Sequence, residues 1–391
     1  VARPDFTVYD IGNARKIIDY CIGTMDNLGY QVPYGDTGSW KCWNSEMVCL
    51  DMFAYATGSP EARWAANHKR ALKNTLETHA FYQLEPGTRP ERFNGVRVWP
   101  VEPQYYQTHR AAERPPLDRC FDKIAFREDL EPSAAYLLLD GLSNGGHKHL
   151  DGNSLPRLTC FDRIWLADND YYKAPVKFHN SLTVFRDGQS EAIPPYAELV
   201  GAGESARFGY SKTKLAGYAG VDWVRTVVWL KRQRAFAVLD QLTASSDDEY
   251  QFRVLWHGVG AATLGDDGLL LVQKGPSLRI QVAPGPALEL HDDTELGANW
   301  GGYPHADPVV RSLEGVATVK LARGETYLFA SLLHGKADGT AAPWDVDFFD
   351  GADGVRLSTP EGVLHLMLGP HQGTTPRGRF QSDAECLVAS G

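Results

Sequence analysis

From Asp118 onward the chain is a succession of short runs rich in Val, Leu, Ile, Phe and Trp, each closed by turn residues. They cover 134–139, 221–230, 235–239, 251–256, 268–273, 277–282, 315–321, 326–333, 354–357 and 362–368. Asp266-Asp267-Gly268, Lys274-Gly275-Pro276, Asp350-Gly351 and Pro360-Glu361-Gly362 punctuate them. Nothing of helical length lies between these runs, so there are no crossover helices to make a parallel sheet. The expectation over 117–391 is a large antiparallel β-sandwich.

The first 116 residues read differently. Ile11 to Asn27 places Ile11, Ala14, Ile18, Cys21, Ile22 and Met25 on one stripe of helical period. Trp43 to Thr57 continues that pattern with Met47, Leu50 and Ala54, and Gly58 stops it. Ser59-Pro60-Glu61 then supplies an N-cap, a proline at the first helical position and an early acid for a helix running to about Thr78. Glu85 to Pro116, rich in Pro, Arg and aromatics, reads as a connector that packs in part and lines a cleft. The whole is an α+β chain of two parts: helices in an α/α arrangement over 1–116, then the sandwich.

Within the sandwich half, Gly145 to Asn180 stands out. It holds His147, His149 and His179 beside Asp151, Asp162, Asp168 and Asp170 in a strand-like setting. His147 and His149 are two apart, so an extended backbone puts both imidazoles on one face. Arg163 to Ala167 and Ser181 to Phe185 read as strands, which leaves Asp168 and His179 at strand ends. Two imidazoles and a carboxylate are a common ligand set for zinc. Turn aspartates and surface histidines are the other reading of the same residues.

Three blocks in this stretch, His147-Lys148-His149-Leu150-Asp151, then Asp168-Asn169-Asp170-Tyr171, then His179-Asn180-Ser181, resemble the signature of heparinase II/III-like polysaccharide lyases, a group that includes oligoalginate lyases. Asp170 stands where that family usually has glycine, and Ser181 where threonine is commoner. The resemblance implies an α/α toroid followed by an antiparallel β-sandwich. It implies one structural zinc ion held by His149, Asp168 and His179, with His147 facing the substrate as a catalytic residue. It further implies β-elimination next to a uronic acid, helped by a tyrosine. Tyr9 is the candidate, with Tyr105 or Tyr106 or an upstream residue as competitors. Packing at a helix entry is the plainer role for Tyr9. Three or four helices are few for a toroid, so the expectation is the C-terminal part of a longer enzyme. A non-catalytic carbohydrate-binding sandwich that keeps zinc for stability is the alternative function.

Bulk composition sets outer limits. With 39 basic against 49 acidic residues, the chain lacks the basic excess of a nucleic-acid binder. An anionic polysaccharide would have to be met by a local basic patch. No apolar run approaches the ~20 residues that span a bilayer. A secreted or periplasmic location follows from the substrate class alone. The six cysteines lack finger spacing and read as buried thiols or disulfides. Asp168-Asn169-Asp170 lacks the glycine and distal glutamate of a calcium loop, and no G-x-S-x-G elbow or P-loop occurs.

Overall fold

The computed structural model describes residues 12–34, 44–71, 86–108, 114–143, 149–166, 168, 175–293, 304–349, 353–369, 371–375, 378–382 and 386–390. Helices Gly12–Thr24, Asn44–Thr57 and Pro60–Ala71 form one layer. Its core is Ile18, Ile22, Met25, Leu50, Phe53, Ala54, Ala62, Ala65 and Ala66, the stripes expected from the periodicity. Ser59 caps the third helix, its Oγ accepting from the Ala62 N–H at 3.3 Å.

The stretch read as a connector also carries a strand, Gly95–Pro100, which pairs antiparallel with Phe121–Arg127. It opens a five-stranded sheet continued by Tyr136–Asp140, Arg157–Cys160 and Arg163–Ile164. A four-stranded sheet runs in spatial order Ala287–Asp292, Val310–Leu321, Asp248–Val259, Leu182–Arg186. The bridge Leu166 to Gly258 joins the two small sheets. Both face an eight-stranded antiparallel sheet, ordered Ala261–Gly265, Gly268–Val272, Ser277–Val282, Thr326–Lys336, Ala235–Ala244, Val221–Leu230, Phe208–Tyr218, Glu198–Glu204.

Strand alternation decides what each face buries. Along Val221–Leu230, Val221, Trp223, Val227 and Trp229 enter the central core with Phe236, Val238 and Leu242 of the next strand. Val228, Leu230, Ala235, Ala237 and Leu239 point the other way. That outer face is covered by a further sheet of Asp345–Phe348, Gly354–Thr359, Gly362–Leu368 and Cys386–Ser390. The order of layers is therefore helices, paired small sheets, eight-stranded sheet, outer sheet. An antiparallel β-sandwich with a few helices is what the sequence predicted. Among the described residues, Cys21, Cys49, Cys120, Cys160 and Cys386 are free thiols, and no helix is long and apolar enough to cross a membrane.

A buried polar seam ties the helices to the five-stranded sheet. The Arg127 guanidinium donates to the Gly23 carbonyl at 3.1 Å, the Met25 carbonyl at 2.6 Å and the Asn27 side chain. Arg157 sits 3.4 Å from Asp26, both fully buried.

Candidate active site

The loop after Tyr136–Asp140 and the one before Leu182–Arg186 carry the motif residues. Asp151 to Ser154 forms a tight turn, the Ser154 N–H donating to the Asp151 carbonyl at 3.0 Å. Asn153 occupies the left-handed region at φ 60°, where Asn is among the better tolerated residues. A side chain at Gly152 would bring a Cβ within 2.8 Å of Ser143 Cβ. The Ser143 hydroxyl donates to the His149 carbonyl at 2.9 Å. Ser143 thereby ties the His149 backbone to the turn.

The three ligand candidates are brought together. His149, Asp168 and His179 are all buried. Asp168 Oδ1 lies 2.7 Å from His179 Nδ1, and the His149 and His179 ring centroids are 5.7 Å apart. Two imidazoles on one tetrahedral zinc place their centroids roughly 5 Å apart. The donor set suits that ion, although among the described residues it is not the group whose donor atoms all lie within 4.8 Å of one another. His147, Tyr9, Asp170 and Tyr171 lie outside the described residues.

Sequence reasoning did not find what holds this cluster. Arg225 and Asp240 sit on adjacent strands of the eight-stranded sheet, pointing into the core and fully buried. Asp240 accepts from Arg225 Nε at 2.7 Å, from Nη2 at 3.0 Å and from Trp223 Nε1 at 2.8 Å. The remaining guanidinium edge crosses the core. Arg225 Nη1 donates to the Asn153 carbonyl at 2.6 Å and the Asn180 carbonyl at 3.4 Å, so one cation grips both motif loops. Thr213 Oγ1 donates to Asn153 Oδ1 at 2.7 Å. Asn180 donates through Nδ2 to Leu155 at 3.1 Å and accepts the His257 N–H at 2.6 Å. Burial pushes the His257 imidazole down to about 4; the Asp293 carboxylate opposes that shift, and the His179 ring adds to it.

Beside the cluster lies a groove of about 610 Å³ on the outward face of the four-stranded sheet. Its lining includes Leu150 and Lys177, close in sequence to His149 and His179, together with Phe178, Phe185, Arg253 and Glu314. Tyr105 and Tyr106 lie on the short helix Pro103–Thr108. Tyr106 packs on Tyr196 at 5.4 Å between centroids, and Tyr196 bridges to Leu142 at the foot of the His147 segment. Tyr20 and Tyr34 make a second pair, their hydroxyls 2.8 Å apart, with Lys123 Nζ 3.9 Å from the Tyr34 ring centroid. Burial raises both phenols above their usual range. Lys123 in turn pairs with Asp140 at 2.9 Å. No sequence signal marked that chain of contacts.

A helical layer on a multilayered antiparallel sandwich is a fold this chain shares with solved heparinase-like polysaccharide lyases. A mutant heparan sulfate lyase from Pedobacter heparinus superposes with a TM-score of 0.66 at 13% identity, over 96% of this chain and 53% of its own. A heparinase III structure gives 0.65 at 12% identity, over 90% of this chain and 53% of its own. The chain thus spans about half the length of these structures. No family model matches the sequence, and no curated protein sequence matches it.

Proposed function

We propose that the chain is the sandwich-bearing part of a polysaccharide lyase that cleaves beside a uronic acid by β-elimination. The observation that carries this reading is the buried convergence of His149, Asp168 and His179, drawn from three sequence blocks that follow the lyase signature in order. The heparinase-like fold supports it. Zinc at these three residues would supply a structural anchor for the loop bearing His147. His147 would then face the substrate and exchange the proton at C5 or at the leaving oxygen. A tyrosine, Tyr9 or one of the connector pair Tyr105 and Tyr106, would take the partner role. Lys177 and Arg253 in the groove offer cationic partners for the carboxylate, whose developing enolate charge must be neutralised. Phe178 and Phe185 line the same groove, with Lys177 and Arg253 set over their rings, so aromatic and cationic surface is paired where a sugar acid would lie. A secreted or periplasmic setting is where such a polymer would be met.

The test follows the ultraviolet absorbance of an unsaturated uronate product across heparan sulfate, chondroitin, hyaluronan and alginate. Wild-type protein is expected to raise it on one polymer and His147→Ala to abolish the rise with zinc still bound. Binding to a polymer with no product from any of them would sink the lyase reading and establish a carbohydrate-binding sandwich.

A further inference from the structure

The groove's far edge carries a second group of metal-ligating side chains, separate from the motif loops. Glu289 and His291 are two apart on the edge strand Ala287–Asp292 and share a face. Glu314 stands directly across from Glu289 on the neighbouring strand. Two carboxylates opposed on adjacent strands repel each other unless a cation lies between them. His291 Nε2 sits 3.1 Å from Glu314 Oε2 and 3.8 Å from Glu289 Oε2. Ligand atoms on a tetrahedral zinc are roughly 3.3 Å apart, which falls between those two distances. Glu314 Oε1 is taken by Arg253 Nη1 at 3.1 Å, which orients the carboxylate and leaves Oε2 for the imidazole side. Among the described residues, this is the group whose donor atoms all lie within 4.8 Å of one another.

We propose that Glu289, His291 and Glu314 form a second divalent-cation site of zinc type at the groove edge, with water completing the shell. The site is built on two paired strands rather than on loops, so its donors are fixed by sheet register. A cation there lies next to Asp293, Ser312 and Arg253 of the groove lining, where the carboxylate or hydroxyl of a bound sugar can reach its open position. The metal site itself stands whether or not the chain is a lyase.

The experiment strips the full chain with chelator and titrates it with Zn²⁺ alone by calorimetry, then with Co²⁺ followed by visible absorbance. Wild-type protein is expected to take up two equivalents. Glu289→Gln and His291→Ala, both at exposed positions, should each lose one equivalent and leave the other, while His149→Ala should lose the complementary one. Retention of the full wild-type stoichiometry in both Glu289→Gln and His291→Ala overturns the proposal. A loss in those two variants with no change in His149→Ala upholds this site and removes zinc from the motif loops instead.

Discussion

Arg225 shows how a single buried cation can organise a site it does not belong to. Removing it would leave Asp240 as a buried carboxylate with Trp223 alone to answer it, and would strip the Asn153 carbonyl of its guanidinium donor, while the Asn180 carbonyl keeps the Leu155 N–H. Breaking a buried pair on one side costs about 3–5 kcal/mol, whereas replacing both partners by apolar groups is often near neutral. Arg225→Met is therefore expected to lose about that much in urea unfolding, and Arg225→Met with Asp240→Leu to regain a substantial part. A loss below about 1 kcal/mol in the single variant, the range of a surface pair, would refute the bracing role. His334 makes a separate prediction from burial. Its ring is stacked on Trp344 at 4.3 Å between centroids, and its Nε2 has no hydrogen-bond partner among the described residues. Burial, then the nearby Arg279, pushes its pKa down to about 4. The unfolded imidazole titrates near 6.5, so below that pH the unfolded state binds a proton that the folded state refuses. The stability of the neutral form is full above about 6.5 and drains as pH falls toward 4, by a loss on the order of 3 kcal/mol. His334→Phe keeps the stack, so its melting temperature should fall less steeply than that of wild-type protein over pH 6.5 to 4. Parallel profiles would exclude His334 as a source of acid sensitivity.

At the scale of elements, the turn Asp151–Ser154 is where backbone conformation and site meet. Asn153 combines a left-handed φ of 60° with side-chain acceptance from Thr213. Asn153→Ala should cost about 2 kcal/mol, from αL strain and the lost Thr213 hydrogen bond, the hydroxyl falling back on the Arg225 carbonyl at 3.2 Å. Asn153→Gly should cost less, since glycine removes the strain and loses the hydrogen bond alone. Equal losses in chemical denaturation would show that the left-handed backbone contributes nothing. The same scale explains what was legible in advance. Val221–Leu230, Ser277–Val282 and Gly362–Leu368 fall where their apolar runs and flanking turns put them. Phe208–Tyr218 was not foreseen because its inward positions include Gly209, Ser211 and Thr213, which carry no hydrophobic signal. Ala287–Asp292 escaped because a solvent-facing edge strand reads as polar coil. Gly95–Pro100 lay hidden in a Pro- and Arg-rich context and ends on a proline, as the first strand of its sheet can. His149, Asp168 and His179 were readable as motif blocks. Arg225 and Asp240 were not, because in an alternating strand a charged residue is read as facing water, and only the second layer of the sandwich reveals that this side is the core.

The whole molecule depends on the central strands of the eight-stranded sheet being covered on both faces. Its inner face closes the core beneath the site, and its outer face, with Val228, Leu230, Ala237, Leu239, Ala330 and Leu332, is closed by the outer sheet through Val355, Leu357, Leu364 and Leu366. The outer sheet joins the rest through the segment that follows Thr326–Lys336, where residues 336–340 are all exposed. An unpaired charge placed between these layers cannot be solvated without parting them, a cost of several kcal/mol. Opening one peripheral layer is cheaper than unfolding the core. Leu366 is fully buried and pairs with Val355 and Val388 on either side. Leu366→Asp should therefore detach the outer sheet before anything else yields. Trypsin should cut after Lys336 far faster than in wild-type protein, and an apolar dye should bind the uncovered face, since a contiguous apolar patch of this extent is not tolerated bare on a soluble chain. The motif loops lean on the opposite face through Arg225, so the zinc uptake proposed for His149, Asp168 and His179 should persist while the outer sheet is loose. An unchanged tryptic pattern, or loss of metal in step with dye binding, would mean that the two faces of the central sheet do not yield independently.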